Sequence, residues 1–302
     1  MIRLEDTSGH EIAAAIARER HRMGSPTTGM VLTLLILTDE ERQADSTAAA
    51  VASAREHPMR ILTLVPRPGG DADRIDADIS VGGDDGPGEV AVMRLRGDRS
   101  SHANSVAIPL LLPDTPVVAW WPGRAPRDLA DDPIGAHAGR RITDVSTLDD
   151  PIAQLHQRRE FYQPGDTDLS WTRLTGWRST LAAVLDRPVG AVSSATVTAT
   201  RDNPSAVLLA AWLTEALRVP AAIDFDTGPG ITGVTLSTDS GQIRILRPDG
   251  NLALLQIPGL PDAPVALPRR SLSDLIAEEL RRMNPDEIYA QSLAAFPAVT
   301  FD

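Results

Sequence analysis

The sequence predicts an α/β protein, with a Rossmann-like doubly wound N-terminal domain and a smaller α+β C-terminal domain joined by a helical pair. Three observations carry this reading. Short apolar runs alternate with helical segments through the first half of the 302 residues, as in βαβ units with right-handed crossovers. In the second half, three apolar runs separated by turn residues form the pattern of an antiparallel meander. Between these halves lie two consecutive helical patterns split by Gln163-Pro164-Gly165. The length favours more than one domain, and the expected boundaries are 1–148, 149–188 and 189–302.

Residues 8–22 read as a helix and 30–38 (MVLTLLILT) as a buried strand. An alanine-rich helix at 40–56 ends before His57-Pro58, and 60–66 (RILTLVP) is a second buried strand. ISVGG (79–83) and EVAVMRLRG (89–97) flank the acidic segment GGDDGPG and suggest antiparallel strands added to the sheet. Residues 101–112 read as a helix, 117–121 (VVAWW) as a buried strand and 140–146 as a further short one. Helices follow at 149–162 and 166–186. A strand at 192–200, a helix from Asn203 to Leu217 and a strand at 221–225 precede the meander ITGVTLST, GQIRILR and NLALLQI, whose turns are Asp239-Ser240-Gly241 and Pro248-Asp249-Gly250. Helices at 271–283 and 285–295 close the chain.

Composition narrows the function classes. Apolar residues make up 42% and charged residues 23%, the range of a globular protein that folds on its own core. There is no cysteine, so disulfides, thiolate metal sites and cysteine nucleophiles are excluded. All 29 basic residues are arginine, which removes Schiff-base and P-loop lysine chemistry. A net charge of −12 argues against sequence-independent binding to nucleic acid. The start MIRLEDTSGHE lacks an apolar signal region, and the apolar run at 30–37 is too short for a membrane span. A soluble, cytoplasmic protein that binds neither nucleic acid nor membrane is expected.

Motifs of catalysis are absent where chemistry would need them. The G-x-G-x-x-G at Gly228 to Gly233 is followed by a strand, not a helix, and reads as a turn. After the first buried strand, where a dinucleotide-binding turn belongs, the sequence is TDEERQADS, with carboxylates in place of glycines. The 6 histidines show no ligand spacing, and there is no G-x-S-x-G elbow. No catalytic residue, metal or cofactor is expected.

Three clusters remain. His57-Pro58-Met59-Arg60 stops a helix and starts a strand. Arg99, Ser100, Ser101 and His102 open a helix; Ser100 or Ser101 serves as an ordinary N-cap, or Arg60, Arg99, Ser101 and His102 form a small-anion site. The third cluster joins Trp120 and Trp121, pointing to opposite faces of a strand, with GDTDLSWTRLTGWR at 165–178. There Asp166 or Thr167 suits an N-cap and Asp168 suits the first helical turn. Trp171, Leu174, Arg178, Leu181 and Leu185 follow one helical face, while Arg173 and Trp177 occupy another flank in reach of a cation–π contact. Gly176 marks a close approach within the helix. These side chains pack a core, or dock a protein partner through residues typical of binding hot spots.

HPMR, SSHANSVAIPLLLPDTPVVAWWPG and above all GDTDLSWTRLTGWRSTLAAVLD, followed by NPSAVLLAAWL, resemble the OpcA family of glucose-6-phosphate dehydrogenase assembly proteins along nearly the whole chain. The resemblance implies a non-catalytic partner that associates with the dehydrogenase, favours its active oligomer and raises its activity at the start of the oxidative pentose phosphate pathway. Some members are tied to redox control through cysteines; this chain has none, so such control would rest with the partner. By their residue types, Trp120, Trp121, Asp168, Trp171, Arg173, Trp177 and Arg178 are the candidates for binding such a partner. The alternatives are an enzyme or sensor for a small anionic metabolite such as a sugar phosphate, held near Arg60, Arg99 and His102, and a self-assembling scaffold.

Overall fold

The computed structural model describes residues 1–23, 29–69, 72–82, 88–296 and 299–301, and every count below refers to these. Residues 83–87, at the centre of the acidic glycine-rich segment, lie outside them. The helices are α1 (Gly9–Met23), α2 (Glu40–Ser53), α3 (Ala103–Ala107), α4 (Pro151–Glu160), α5 (Leu169–Thr172), α6 (Thr175–Leu185), α7 (Pro204–Leu217), α8 (Leu272–Arg281) and α9 (Glu287–Ala295). The chain forms two compact units, each assembled from separate segments: Met1–Asp144, Gly165–Thr167 and Ser271–Pro285, and Val145–Pro164, Asp168–Arg270 and Asp286–Asp302.

The first unit is built on strands β1 (Ile2–Leu4), β2 (Leu32–Leu37), β3 (Met59–Arg67), β4 (Ile75–Val81), β5 (Glu89–Arg96), β6 (Val117–Trp121), β7 (Arg140–Thr143) and β8 (Asp166–Asp168). Their order is β1-β4-β5-β3-β2-β6-β7-β8. β5, β3, β2, β6 and β7 run parallel, which requires crossovers and buries both sheet faces, hence the continuous apolar runs. Leu35, Leu62, Ala119 and Trp121 share a core with Ile12 and Ile16 of α1. On the opposite face α2 lies over β3, where the hydroxyls of Thr47 and Thr63 are 3.0 Å apart. Helices on both faces make this the doubly wound domain that the sequence predicts.

The segments 79–83 and 89–97 are strands as expected within the described residues, antiparallel to each other with Ile79 opposite Ala91. β5 itself runs parallel to β3. The expected helix at 101–112 is instead a 3₁₀ turn (Gly97–His102), the short α3 and a second 3₁₀ turn (Ile108–Leu110). Pro109 lacks the backbone donor that a continuous helix needs there.

α8 belongs to this first unit because of its partners. Its buried face carries Leu275, Ile276 and Leu280, and it packs on α2. Arg140 of β7 donates through Nε to Glu279 at 2.9 Å, makes a second contact to the same carboxylate through Nη2, and reaches the Asn284 carbonyl at 3.1 Å. Both side chains are buried. The Arg281–Glu56 ion pair and the His57 ring nitrogen, 3.2 Å from the Ala277 carbonyl, fasten the same helix at its exposed edge.

The second unit contains β9 (Val192–Ala199), β10 (Ala221–Phe225), β11 (Ile231–Thr238), β12 (Gly241–Leu246), β13 (Leu252–Gln256), β14 (Ala263–Ala266) and β15 (Thr300–Phe301), ordered β14-β13-β12-β11-β9-β10-β15. The meander is β11-β12-β13, antiparallel throughout. α7 is the crossover between parallel β9 and β10. Asn203 caps it through its side-chain oxygen, and residues 204–211 are all buried, as befits a helix apolar all round.

The tryptophan segment departs from the expected single helix. β8 comes first, Asp168 rather than Asp166 or Thr167 is the N-cap of α5, and its Oδ1 accepts the Ser170 N–H at 2.8 Å. The Leu174 N–H then bonds the Trp171 carbonyl, three residues back, at 2.9 Å. This tight step has three residues per turn, so residues 171, 174 and 177 stack on one side. Trp171 and Trp177 are accordingly 1% and 2% exposed, in one core with Leu174, Leu181 and Val184. A Cβ on Gly176 would meet Leu267 Cδ1 at 2.8 Å, the close approach expected there.

Trp171→Ala and Trp177→Ala are each expected to cost about 3–5 kcal/mol, read from denaturation midpoints. A Trp177→Ala protein as stable as the parent would contradict this burial. Glu279→Ala strands Arg140 and is expected to destabilise by about 3–5 kcal/mol, whereas the double variant Arg140→Met/Glu279→Met recovers most of that loss. Equal stability of Glu279→Ala and the parent would show that the pair holds nothing in place.

Candidate functional site

In a doubly wound sheet the natural ligand crevice lies beyond the carboxyl ends of the strands where the strand order reverses. Here that point falls between β2 and β6. It is occupied by the chain itself. Asp39 caps α2, accepting the Arg42 N–H at 2.9 Å and the Arg42 guanidinium at 2.6 Å. From the β6 side, a Cβ on Gly123 would stand 3.2 Å from Arg42 Cδ and 3.5 Å from Asp39 Oδ2. Glu40 follows in the first helical turn and takes a hydrogen bond from Arg67 Nε at 2.5 Å. That bond holds the Glu40 carboxyl below the usual carboxylate range. The helix start that would meet a pyrophosphate thus carries carboxylates. Among the described residues no group of three or more His, Asp or Glu converges to hold a metal ion.

The second unit holds a cavity of about 440 Å³ with five arginines on its walls: Arg173, Arg201, Arg247, Arg269 and Arg270. Asp202 is the acidic residue in its lining. Arg247 is 7% exposed. Its two Nη atoms donate to the carbonyls of Leu267 and Ile231, each at 3.0 Å, and its Nε has no partner. Its guanidinium lies 4.8 Å from the Trp177 ring centroid. Burial, and then the charge of Arg269, push the Arg247 guanidinium below its usual range, with Asp249 opposing. Arg201 stacks over Phe225 at 4.3 Å. Arg269 lies against two glycines of positive φ: a Cβ would stand 3.2 Å from its Nη2 at Gly230 and 3.0 Å from its Nε at Gly250. The G-x-G-x-x-G segment is thus a turn, and its second glycine gives Arg269 room.

The structure distributes the candidate residues as follows. Trp120, Trp121, Asp168, Trp171 and Trp177 are all buried. Arg173 and Arg178 are half-buried. The cation–π partner of Trp177 is Arg247, not Arg173, because the tight step turns Trp177 inward. Arg178 instead covers Trp171, 3.8 Å from the ring centroid. Of the proposed anion cluster, Arg99, Ser101 and His102 are exposed. Arg60 is buried and already engaged, by Glu89 through Nε at 2.7 Å and by the Leu110 carbonyl at 2.6 Å. Ser100 and Ser101 do not cap: their hydroxyls donate to the carbonyls of Gly97 and Asp98 at 2.6 and 2.8 Å.

Sequence reasoning missed Arg201, Arg247 and Arg269. One signal was present for Arg247. In GQIRILR the inward positions of the alternation are 243 and 245, both buried, and the next inward position is an arginine. An arginine on the core face of a strand marks a buried charge that needs explaining.

Comparison with known proteins completes the description. Erythronolide synthase EryA2 of Saccharopolyspora erythraea is 27% identical over 252 residues, a match that spans 75% of this chain and 7% of that protein. Among solved structures, a 3-ketoreductase from Actinomadura kijaniata aligns at 10% identity over 90% of this chain and 98% of its own, with a TM-score of 0.48. An inositol dehydrogenase homolog from Azotobacter vinelandii aligns at 9% identity over 89% and 87%, with a TM-score of 0.40. Likenesses this distant carry no chemistry across. Family models are decisive: residues 50–160 match the glucose-6-phosphate dehydrogenase subunit N-terminal domain and residues 164–293 the C-terminal domain of the same subunit. The chain belongs to the OpcA family of glucose-6-phosphate dehydrogenase assembly proteins.

Proposed function

We propose that this chain is a non-catalytic assembly factor and allosteric activator of glucose-6-phosphate dehydrogenase, binding the cytoplasmic enzyme, favouring its active oligomer and so raising NADPH production. Family membership across both halves supports the partner. The single structural observation behind the non-catalytic role is the filled crevice. A sheet of dinucleotide-binding topology has Asp39, Glu40 and Arg42 where a pyrophosphate would need open backbone donors. A protein that binds rather than reacts can keep the sheet without the turn.

Activation requires tighter binding to the active form of the dehydrogenase than to the inactive one. In this reading the half-buried Arg173 and Arg178 reach the partner directly. Trp171 and Trp177, buried in the core of the same unit, and Asp168, which caps α5, hold that surface in shape, while Trp120 and Trp121 are buried in the first unit.

Mixing the chain with the dehydrogenase of the same organism is expected to shift the enzyme to a larger complex by light scattering and to change KM or kcat about fivefold or more. Complex size, KM and kcat that all stay as they were would refute the role. Arg173→Ala is expected to weaken activation while the protein stays folded, read from enzyme kinetics beside the circular dichroism of the variant. Full activation by Arg173→Ala would remove that residue from the contact surface.

A further inference from the structure

Three of the five cavity arginines have no carboxylate as a direct partner, although Asp202 lies in the lining and Asp249 acts on Arg247 from farther off. Among the described residues Arg201, Arg247 and Arg269 meet no carboxylate within ion-pair distance. The chain as a whole has 41 acidic residues against 29 basic ones, so a deficit of acid at this one place is not a matter of composition. A buried arginine ordinarily has a carboxylate partner, because desolvating a lone charge is costly. Arg60, Arg140 and Arg141 follow that rule with Glu89, Glu279 and Asp166. Arg247 is as buried as these and has a ring face, two neutral carbonyls and an orphaned Nε.

We propose that this cavity is a binding site for a phosphate monoester of sugar size. The charge selects the ligand class. A phosphomonoester carries about −1.5 to −2 at neutral pH with three strong acceptor oxygens, which answers three guanidiniums better than a single carboxylate does. The guanidinium forks of Arg201 and Arg269 can match phosphate oxygens two at a time, while Arg247, its Nη atoms already on carbonyls, contributes charge and its Nε. The volume selects the size: about 440 Å³ exceeds what inorganic phosphate fills and lies within the range of small-ligand pockets. Thr200 and Asn203 offer hydrogen-bonding side chains for the sugar hydroxyls, and Leu174 and Pro204 give the walls an apolar part. The start of α7, capped at Asn203, adds its dipole in the same sense. The missing side chains of Gly230 and Gly250 leave the room that the Arg269 guanidinium occupies at the cavity wall. The site lies within the second unit and needs no dehydrogenase.

Titration calorimetry on the full chain alone, at fixed ionic strength, tests this with glucose 6-phosphate, 6-phosphogluconate, ribose 5-phosphate, inorganic phosphate and glucose. At least one ester is expected to saturate with a Kd below about 1 mM, inorganic phosphate to bind more weakly, and glucose not to bind. Arg269→Gln and Arg201→Gln, both at exposed positions, are expected to raise that Kd about tenfold each, while the exposed Arg244→Gln leaves it unchanged. These variants carry the test even where Arg247→Met fails to fold. No saturation by any ester up to about 10 mM, glucose binding as well as its ester, or affinity indifferent to Arg201 and Arg269 would overturn the proposal. Because no dehydrogenase is present, such a failure leaves the assembly role standing, and the converse also holds.

Discussion

The stacking of guanidiniums on the two tryptophans of the LSWTRLTGWR segment fixes how α5 and α6 lie in the second unit. Arg178 covers Trp171 at 3.8 Å, and Arg247 lies over Trp177 at 4.8 Å. Trp171 is further held by a 2.8 Å hydrogen bond from its Nε1 to Asp286 and by the Tyr289 ring at 5.8 Å. Asp286 also caps α9 through the Tyr289 N–H. One carboxylate therefore ties the start of the last helix to the tryptophan core. A ring face attracts a cation but does not neutralise it. Arg247 is thereby positioned and shielded yet keeps its charge, and the same contact that completes the core lends positive potential to the cavity beside it.

The first unit solves a different problem. Its parallel sheet buries both faces, which demands helices on either side and leaves the carboxyl ends of the strands as the natural place for a ligand. The chain closes that place with its own ion pairs. Asp39 answers the free N–H groups of α2, Arg42 answers Asp39, and Arg67 answers Glu40. Arginines without a directly paired carboxylate are found in the cavity of the second unit instead. The closed strand ends and the arginine-lined cavity thus lie in different units.

The sheet strands were legible because apolar runs of five to eight residues bounded by turn signals leave little choice, as at VVAWW and RILTLVP. The edge strands β1, β14 and β15 were not, since they are short or exposed and their pairing depends on long-range partners. The segment 101–112 has the composition of a helix, and Pro109 decided against one. In the tryptophan segment the observed faces differ from the expected ones. A uniform 3.6-residue period sends Trp177 to a separate flank, and one three-residue step brings it back to the core. The anion site was expected beside Arg99 from the free N–H groups of a helix start, where the structure has a 3₁₀ turn and a five-residue helix. Pairing of Arg60 with Glu89 across 29 positions is invisible to local pattern. The cavity arginines come from distant stretches, so only the fold brings them together.

Hydrogen–deuterium exchange of the full chain, alone, with the dehydrogenase and with NADP⁺, tests the division between binding partner and nucleotide enzyme most directly. Slowed exchange in surface peptides of the chain when the dehydrogenase is added, with no change at residues 38–42 on adding NADP⁺, is the predicted result. Protection of residues 38–42 by NADP⁺, with no peptide protected by the dehydrogenase, would contradict the account.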